Sequence, residues 1–86
     1  MSQVTIYTTA WCPYCDAAKR LLDQKGIQFD EVDIEAWGDP WLELYETTGG
    51  SSVPQIVLGD DSIGGYDDLR ALDRRGKLDT LMSGPN

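Results

Sequence analysis

The residues best suited to chemistry are Cys12 and Cys15, the two cysteines of this 86-residue chain. Pro13 and Tyr14 separate them in a C-x-x-C pattern, which lies between an alternating apolar segment and a helical pattern. A cysteine pair at the joint between a strand and a helix is typical of a redox site, where the sulfurs alternate between a dithiol and a disulfide. The pattern therefore predicts thiol–disulfide exchange.

The expected helix explains how the two cysteines would differ. Cys12 falls at its N-cap and Pro13 at its first position, where the missing N–H of proline has no consequence. The free backbone N–H groups of the first turn and the helix dipole favour a thiolate on Cys12, and the thiolate is the nucleophile. Cys15 lies one turn further in. We therefore expect Cys12 to attack and Cys15 to resolve the mixed disulfide.

Two other roles for the cysteine pair fit the composition less well. A structural zinc site needs four ligands, and the chain has no histidine and no third cysteine. A disulfide across two intervening residues closes too short a loop to stabilise a fold by much. A catalytic dithiol is therefore favoured, and no bound metal is expected.

The charge of the chain is acidic and unevenly distributed. There are 7 basic and 15 acidic residues, a net charge of −8, and the stretch from Gly26 to Leu69 has eleven acidic residues and no basic one. Binding to a phosphate backbone needs clustered Lys and Arg, so we expect no nucleic-acid partner. The acidic side chains are expected to form a solvated surface, with the alternative that they steer basic protein partners.

Length and hydropathy predict one small α/β domain over residues 1–86, with 83–86 as a frayed tail. No apolar run approaches the roughly 20 residues that span a bilayer, and the first residues carry no signal-peptide pattern. We therefore expect a cytoplasmic protein with no membrane partner.

The apolar pattern predicts a βαβ unit followed by a helix, a hairpin and a further helix. The first strand, Val4–Thr8, is expected to be central, and the βαβ unit parallel and right-handed. Asp39 is expected to cap the second helix, whose Trp41, Leu44 and Tyr45 should face inward. The remaining expected elements are a helix from about Pro13 to Lys25, a strand at Gln28–Asp33, a helix at Pro40–Thr47, a strand at Val53–Leu58, a turn at Gly59–Asp61, an edge strand at Ser62–Ile63, a helix at Tyr66–Arg75 and a final helical turn at Lys77–Met82.

Several segments, in the right order, resemble the glutaredoxin family. Cys-Pro-Tyr-Cys at 12–15 matches its dithiol motif, and Ser52-Val53-Pro54-Gln55 is similar to its Thr-Val-Pro segment. The stretch from Ile63 to Leu69 resembles its Gly-Gly-x-Asp-Asp loop, and Lys77-Leu78-Asp79 matches its C-terminal pattern. The resemblance covers nearly the whole chain. It implies a thioredoxin-like fold, with a four-stranded mixed sheet flanked by three or four helices.

The resemblance also implies a site for glutathione as co-substrate. Pro54 would be a cis-proline beside the dithiol, and the backbone of Val53 would pair with the cysteinyl part of glutathione like an added strand. The N–H groups of Tyr66 and Asp67 would hold the γ-glutamyl carboxylate, the Asp67 side chain would take the ammonium, and Tyr14 would line the groove. The implied glutathione-binding residues are Tyr14, Ser52, Val53, Pro54, Gly65, Tyr66 and Asp67.

Purely structural roles stay open for some of these residues. Gly64-Gly65 can be a simple turn, Pro54 a trans residue at a strand start, and Asp67 a helix cap. Thr9 and Gly50 stand where many family members carry cations that meet the glycyl carboxylate of glutathione, and Trp11 is closer to thioredoxin's usage.

The activity implied by the resemblance is glutathione-dependent thiol–disulfide exchange by a monomer. Its partners would be glutathione and glutathionylated or disulfide-bearing proteins, such as ribonucleotide reductase. One alternative is a glutaredoxin-like electron donor reduced by thioredoxin reductase. Another is a dimer that holds a 2Fe–2S cluster on Cys12 and glutathione, although cluster-binding relatives usually have a residue other than Pro13 at that place.

Overall fold

The computed structural model describes residues 3–78, and its central strand is β1 (Val4–Thr8). The side chains of β1 alternate between buried and partly buried, because successive residues of a strand point to opposite faces and both faces are covered. The other elements are α1 (Pro13–Gln24), β2 (Phe29–Asp33), a short 3-10 turn (Ile34–Ala36), α2 (Pro40–Thr48), β3 (Gln55–Leu58), β4 (Asp61–Gly64) and α3 (Tyr66–Arg74).

The four strands form one mixed sheet in the order β2-β1-β3-β4. β2 runs parallel to β1, as the βαβ pattern predicts, whereas β3 runs antiparallel to β1 and to β4. In the β1–β3 pair, Tyr7 lies opposite Gln55. The segment that follows β1 and the segment that precedes β3 therefore lie at the same end of the sheet. This register brings Cys12 beside Val53 and Pro54.

The main core lies between the sheet and the pair α1 and α3. Ala18 and Leu22 of α1 and Leu69 of α3 are completely buried, and they belong to one cluster with the strand residues Ile6 and Ile56. Leu78 belongs to the same cluster and is helical. The rest of the expected final helical turn, residues 79–82, and the expected frayed tail lie outside the described residues.

The opposite face of the sheet carries the 3-10 turn and α2. Tyr7, which alternates with Ile6, packs its ring 5.8 Å from that of Trp37, and the buried residues on this side are Ile34 and Leu44. The prediction that Trp41 and Tyr45 face inward with Leu44 is wrong, since they are 50% and 59% exposed.

The reason for this error is helical geometry. Successive residues of a helix are about 100° apart, so Tyr45 points well away from Leu44. The apolar arc of α2 is wider than the strip that the sheet covers, and the sequence does not indicate which part of that arc is buried. Asp39 is the N-cap of α2, as expected, but its side chain makes no capping hydrogen bond. Instead, Glu43 Oε2 accepts from the Asp39 N–H at 2.8 Å.

Most element boundaries agree with the predictions to within one residue, and the main exception is the start of β3. It begins at Gln55 rather than Val53, since Pro54 has no N–H to donate to a strand partner. Gly26 follows α1 with a φ of 71°, as expected for a left-handed residue after a helix. Among residues 3–78, no helix is long and apolar enough to cross a membrane.

Candidate active site

Cys12 and Cys15 form a disulfide across the first turn of α1. Cys12 is the N-cap of this helix and Pro13 follows at its start, as the sequence predicts. The Cys15 N–H donates to Cys12 Sγ at 3.1 Å, and the two Cα atoms are 5.1 Å apart, within the usual range for a disulfide. A backbone N–H directed at this sulfur stabilises negative charge on it, which suits Cys12 to be the nucleophile.

The burial of the two sulfurs differs in the direction that the sequence predicts. Cys15 is 1% exposed and lies in the interior, whereas Cys12 is 8% exposed. Cys12 is therefore less accessible than an open N-cap position would be. Its Sγ lies 3.8 Å from the carbonyl oxygen of Val53, in the segment that leads into β3.

The segment before β3 contains a cis peptide bond between Val53 and Pro54, as the resemblance implies. Pro54 is buried. A Cβ built on Gly65 would lie 3.5 Å from the Pro54 carbonyl oxygen, so the chain at the start of α3 runs directly alongside this segment. Both segments line one groove.

This groove has a volume of about 570 Å³ and is open to solvent. All seven residues that the resemblance implies for glutathione binding line it. The full lining is Tyr14, Thr48, Gly49, Gly50, Ser51, Ser52, Val53, Pro54, Gln55, Ser62, Ile63, Gly64, Gly65, Tyr66, Asp67 and Asp68. The structure therefore gathers residues from three separate motifs on one surface, although their roles remain predictions.

The N-terminus of α3 forms one end of the groove. Gly65 is the N-cap, and Asp68 Oδ2 accepts from the Gly65 N–H at 3.0 Å. Asp68 is thus the side chain that caps this terminus, while Asp67 is exposed. The capping role that the sequence left open for Asp67 is thus filled by Asp68.

Two tyrosines form an aromatic wall of the groove. The rings of Tyr14 and Tyr66 are 6.2 Å apart, and the Arg70 guanidinium carbon lies 5.8 Å from the Tyr66 ring centroid. Arg70 is not among the site residues that the sequence predicted. Its spacing of four residues from Tyr66 places the two side chains on the same face of α3, and this spacing was the signal that could have identified it.

Glu35 and Asp33, which the sequence did not predict as site residues, hold the loop that carries Cys12. The Ala10 N–H donates to Glu35 Oε1 at 3.0 Å, and the Glu35 N–H donates to Asp33 Oδ1 at 2.9 Å. Ala10 and Glu35 are 25 residues apart in the sequence, so no local pattern reveals their contact.

An ion pair between Lys19 and Glu31 ties α1 to β2 near the same loop. Lys19 Nζ and the buried Thr8 hydroxyl both donate to Glu31 Oε2, at 3.0 and 2.8 Å. Burial alone would raise the pKa of Glu31, but the hydrogen bonds from Lys19 and Thr8 outweigh it, so the pKa falls below its usual 4.5. The hydrogen bond to Glu31 raises the pKa of Lys19 above its usual 10.5, against the opposing effect of burial.

The two positions that depart from the family pattern differ in the structure. Gly50 lines the groove, and a Cβ at this place would overlap the Gln55 side chain, whose Nε2 donates to the Ser52 carbonyl at 2.8 Å. Thr9 is partly exposed in the loop before Cys12 and is absent from the groove lining. Within the described part of the chain, no group of three or more His, Cys, Asp and Glu side chains is placed to hold a metal ion.

Comparison with known proteins agrees with the motifs over nearly the whole chain. The glutaredoxin family model matches residues 4–63. A glutaredoxin of Pseudomonas aeruginosa is 51% identical over 83 residues, which cover 96% of this chain and 99% of that protein. Glutaredoxin 3 of Escherichia coli K12 is 46% identical over 82 residues, covering 95% and 99%.

Solved glutaredoxin structures also superpose well on this chain. A buckwheat glutaredoxin–glutathione complex matches with a TM-score of 0.85 and 27% identity, covering 95% of this chain and 77% of the other. The glutaredoxin of Brucella melitensis matches with a TM-score of 0.80 and 47% identity, covering 94% and 88%. The fold is therefore thioredoxin-like. With the Cys12–Cys15 pair at the start of α1, these likenesses show that the chain belongs to the glutaredoxin family and is a thiol–disulfide oxidoreductase.

Proposed function

We propose that this protein uses glutathione to reduce glutathione-mixed disulfides and protein disulfides. The observation that carries the proposal is the groove beside Cys12, which is lined by every residue that the family resemblance implies for glutathione. A similar structure, the buckwheat protein, is described as a glutaredoxin–glutathione complex. Val53 lines the groove and its carbonyl oxygen lies 3.8 Å from Cys12 Sγ, so a tripeptide thiol bound there would meet Cys12.

The proposed roles follow from the positions of the side chains. Backbone groups of Val53, next to Cys12 Sγ, would pair with the cysteinyl part of glutathione as an added strand does. The first N–H groups of α3, at Tyr66 and Asp67, would hold the γ-glutamyl carboxylate. The exposed Asp67 carboxylate would take the ammonium group, while Tyr14 would cover the bound tripeptide.

The Cys12 thiolate reduces a glutathione-mixed disulfide in two exchange steps. It attacks the glutathione sulfur, the sulfur–sulfur bond to the protein breaks, and the protein thiolate leaves and takes up a proton. The thiolate of a second glutathione then attacks the Cys12–glutathione disulfide. Glutathione disulfide leaves and the Cys12 thiolate is restored. One protein thiol and one glutathione disulfide are thus formed from one mixed disulfide and one glutathione.

A protein disulfide requires both cysteines. Cys12 attacks one of its sulfurs, and Cys15, whose N–H already lies against Cys12 Sγ, attacks the resulting mixed disulfide. The protein leaves as a dithiol and the Cys12–Cys15 disulfide forms, which is the state that the structure contains. Two glutathione molecules return it to the dithiol. Ribonucleotide reductase is a protein of the class that this route serves.

A second candidate is an electron donor that thioredoxin reductase reduces. The absence of a cation at Thr9 and Gly50 favours it, because the glycyl carboxylate of glutathione would lack a charged partner there. For either route we infer a monomer. We also infer a cytoplasmic location, because thiol reductants such as glutathione are kept reduced in that compartment. A glutathione-ligated 2Fe–2S dimer is the remaining alternative.

Two coupled assays test the proposal. The protein is supplied with the mixed disulfide of cysteine and glutathione, and NADPH consumption is followed with glutathione plus glutathione reductase, or with thioredoxin reductase alone. We expect turnover in the first assay. Turnover in the second assay alone would replace glutathione by thioredoxin reductase as the source of electrons. An absorption spectrum of protein purified without oxygen would reveal an iron–sulfur cluster.

A further inference from the structure

The side chain of Trp11 is 96% exposed although it directly precedes the nucleophile. Single exposed apolar side chains are common on protein surfaces, but Trp is enriched among the residues that dominate protein–protein binding. The loop that carries Trp11 is held in place, since the neighbouring Ala10 N–H donates to Glu35 Oε1 at 3.0 Å. An exposed indole on a fixed loop is suited to binding, because Trp supplies a large contact area with few side-chain torsions to restrict.

Trp11 lies outside the groove proposed for glutathione. The groove is lined by Tyr14, which follows Cys12, and by segments on the sides of β3 and α3, whereas Trp11 is not part of its lining. Glutathione bound in the groove would therefore leave the indole uncovered. The other half of a glutathione-mixed disulfide is a polypeptide. The cysteine sulfur of this polypeptide is the leaving group and lies beside Cys12 during the exchange, so the rest of the polypeptide has to extend out of the groove.

The surroundings of Trp11 are acidic. The Glu35 carboxylate is bonded to the residue before Trp11, and Asp33 accepts from the Glu35 N–H. Asp16 is also exposed, but it pairs with Lys19 at 3.7 Å, so Glu35 and Asp33 carry the acidic character. The stretch from Gly26 to Leu69 contains no basic residue. A complementary partner would therefore present an apolar side chain next to cationic ones.

We propose that Trp11 and Glu35 form a docking surface for the polypeptide half of the mixed disulfide, and that it selects segments with an apolar and a basic residue beside the reacting cysteine. This inference rests on the proposed function. The exchange itself is unchanged: Cys12 bonds to the glutathione sulfur, the bond to the peptide sulfur breaks, and the peptide thiolate takes up a proton.

The test compares three substrates with the same glutathionyl half. Two are the glutathionylated peptides Gly-Lys-Phe-Cys-Lys-Gly and Gly-Ser-Ser-Cys-Ser-Gly, and the third is the mixed disulfide of cysteine and glutathione. We expect the parent to have a higher kcat/KM for the Lys-Phe peptide than for the Ser peptide. Trp11→Ala should lower kcat/KM for the Lys-Phe peptide about tenfold more than for the cysteine substrate. Glu35→Gln keeps an oxygen that can accept from Ala10, so it should lower that kcat/KM about threefold at low salt and less at high salt.

Trp41→Ala is the matched control, because it removes a second exposed tryptophan, which lies in α2 and is 50% exposed, and it should leave the preference between substrates unchanged. An equal loss on all three substrates in Trp11→Ala would overturn the docking role and indicate an effect on Cys12 itself. No loss on the Lys-Phe peptide would overturn it as well. A parent that turns over none of the substrates with glutathione would overturn the proposed function, and the docking surface with it, so the two failures are distinguishable.

Discussion

At the scale of single residues, the two sulfurs of the dithiol differ mainly in what surrounds them. Cys12 retains 8% exposure at the edge of the groove, while Cys15 retains 1%. The backbone N–H of Cys15 is directed at Cys12 Sγ. One sulfur is therefore placed to meet a substrate, and the other can be reached only by the sulfur next to it.

This difference between the two cysteines predicts different losses of activity for two conservative variants. Cys12→Ser should abolish all thiol transfer, since the remaining cysteine, Cys15, is only 1% exposed. Cys15→Ser should keep the reduction of the cysteine–glutathione mixed disulfide and lose the reduction of protein disulfides, which needs a resolving thiol. Both variants are assayed with the two substrate types. Loss of both activities in Cys15→Ser would reverse the assigned roles.

A charge placed at Thr9 should improve glutathione binding. Charge-assisted hydrogen bonds contribute about 1.5–3 kcal/mol where neutral ones contribute about 0.5–1.5. At an exposed site a gain of about 1 kcal/mol is realistic, or roughly fivefold in affinity. Thr9→Lys should lower the KM for glutathione by that factor at low salt, with kcat less affected, and added salt should reduce the gain. Thr9→Gln is the uncharged control.

The structure predicts a smaller gain in glutathione binding for a cation placed at Gly50 than for Thr9→Lys. A side chain at Gly50 would overlap Gln55 and displace the amide that donates to Ser52. We therefore expect Gly50→Arg to improve KM less than Thr9→Lys, despite the same added charge. If Thr9→Lys and Thr9→Gln have the same KM at low salt, the glycyl carboxylate is bound elsewhere.

At the scale of elements, α1 is joined to β2 by the pair Lys19 and Glu31, which also satisfies the buried hydroxyl of Thr8. The folded state lowers the pKa of Glu31 and raises that of Lys19. The stabilisation from the lowered pKa of Glu31 is present above pH 4.5 and is lost as the pH falls through the pKa of this carboxyl in the folded state. The stabilisation from the raised pKa of Lys19 is present below pH 10.5 and is lost as the pH rises through the pKa of this amine in the folded state.

The contribution of this pair should therefore be largest between these two values. Glu31→Gln keeps an acceptor for Thr8 and removes the charge, so it should lower the free energy of unfolding by about 0.2–1 kcal/mol at neutral pH, since the pair is partly exposed. The difference from the parent should shrink at acidic and at strongly alkaline pH. Urea unfolding at three pH values measures it. Glu31→Ala should cost more, because the Thr8 hydroxyl then lacks this partner.

At the scale of the whole molecule, the two faces of the sheet are covered to different extents. The α1 and α3 face encloses the main apolar cluster, whereas α2 buries Leu44 and leaves three large apolar side chains half exposed or more, namely Trp41, Leu42 and Tyr45. The stability of the fold should thus depend much more on the first face than on the second.

Matched truncations on the two faces test this difference. Leu22→Ala removes a completely buried side chain from the main cluster, so it should lower the free energy of unfolding by about 2–5 kcal/mol. Tyr45→Ala removes a larger side chain that is 59% exposed, and its effect should stay within about 0.5 kcal/mol. The midpoints of urea unfolding give both values. A large loss in Tyr45→Ala would mean that α2 packs more tightly than its exposure indicates.

The sequence alone determined the local features of this protein. Alternation in β1, the helical spacing after Cys12 and the glycine after α1 predicted elements that the structure confirms, because each depends on neighbours within a few residues. The dithiol and its position at the helix N-terminus were predicted for the same reason. The family motifs then identified the residues that line the groove.

Tertiary structure decided what depends on contacts between distant segments. The antiparallel register of Tyr7 with Gln55 brings the dithiol and Pro54 together, and that pairing is not encoded in either segment by itself. The burial of Leu44 but not Tyr45 depends on which part of α2 meets the sheet. The contact of Glu35 with Ala10 and the overlap at Gly50 likewise result from the packing of separate elements, so local sequence patterns carry no signal for them.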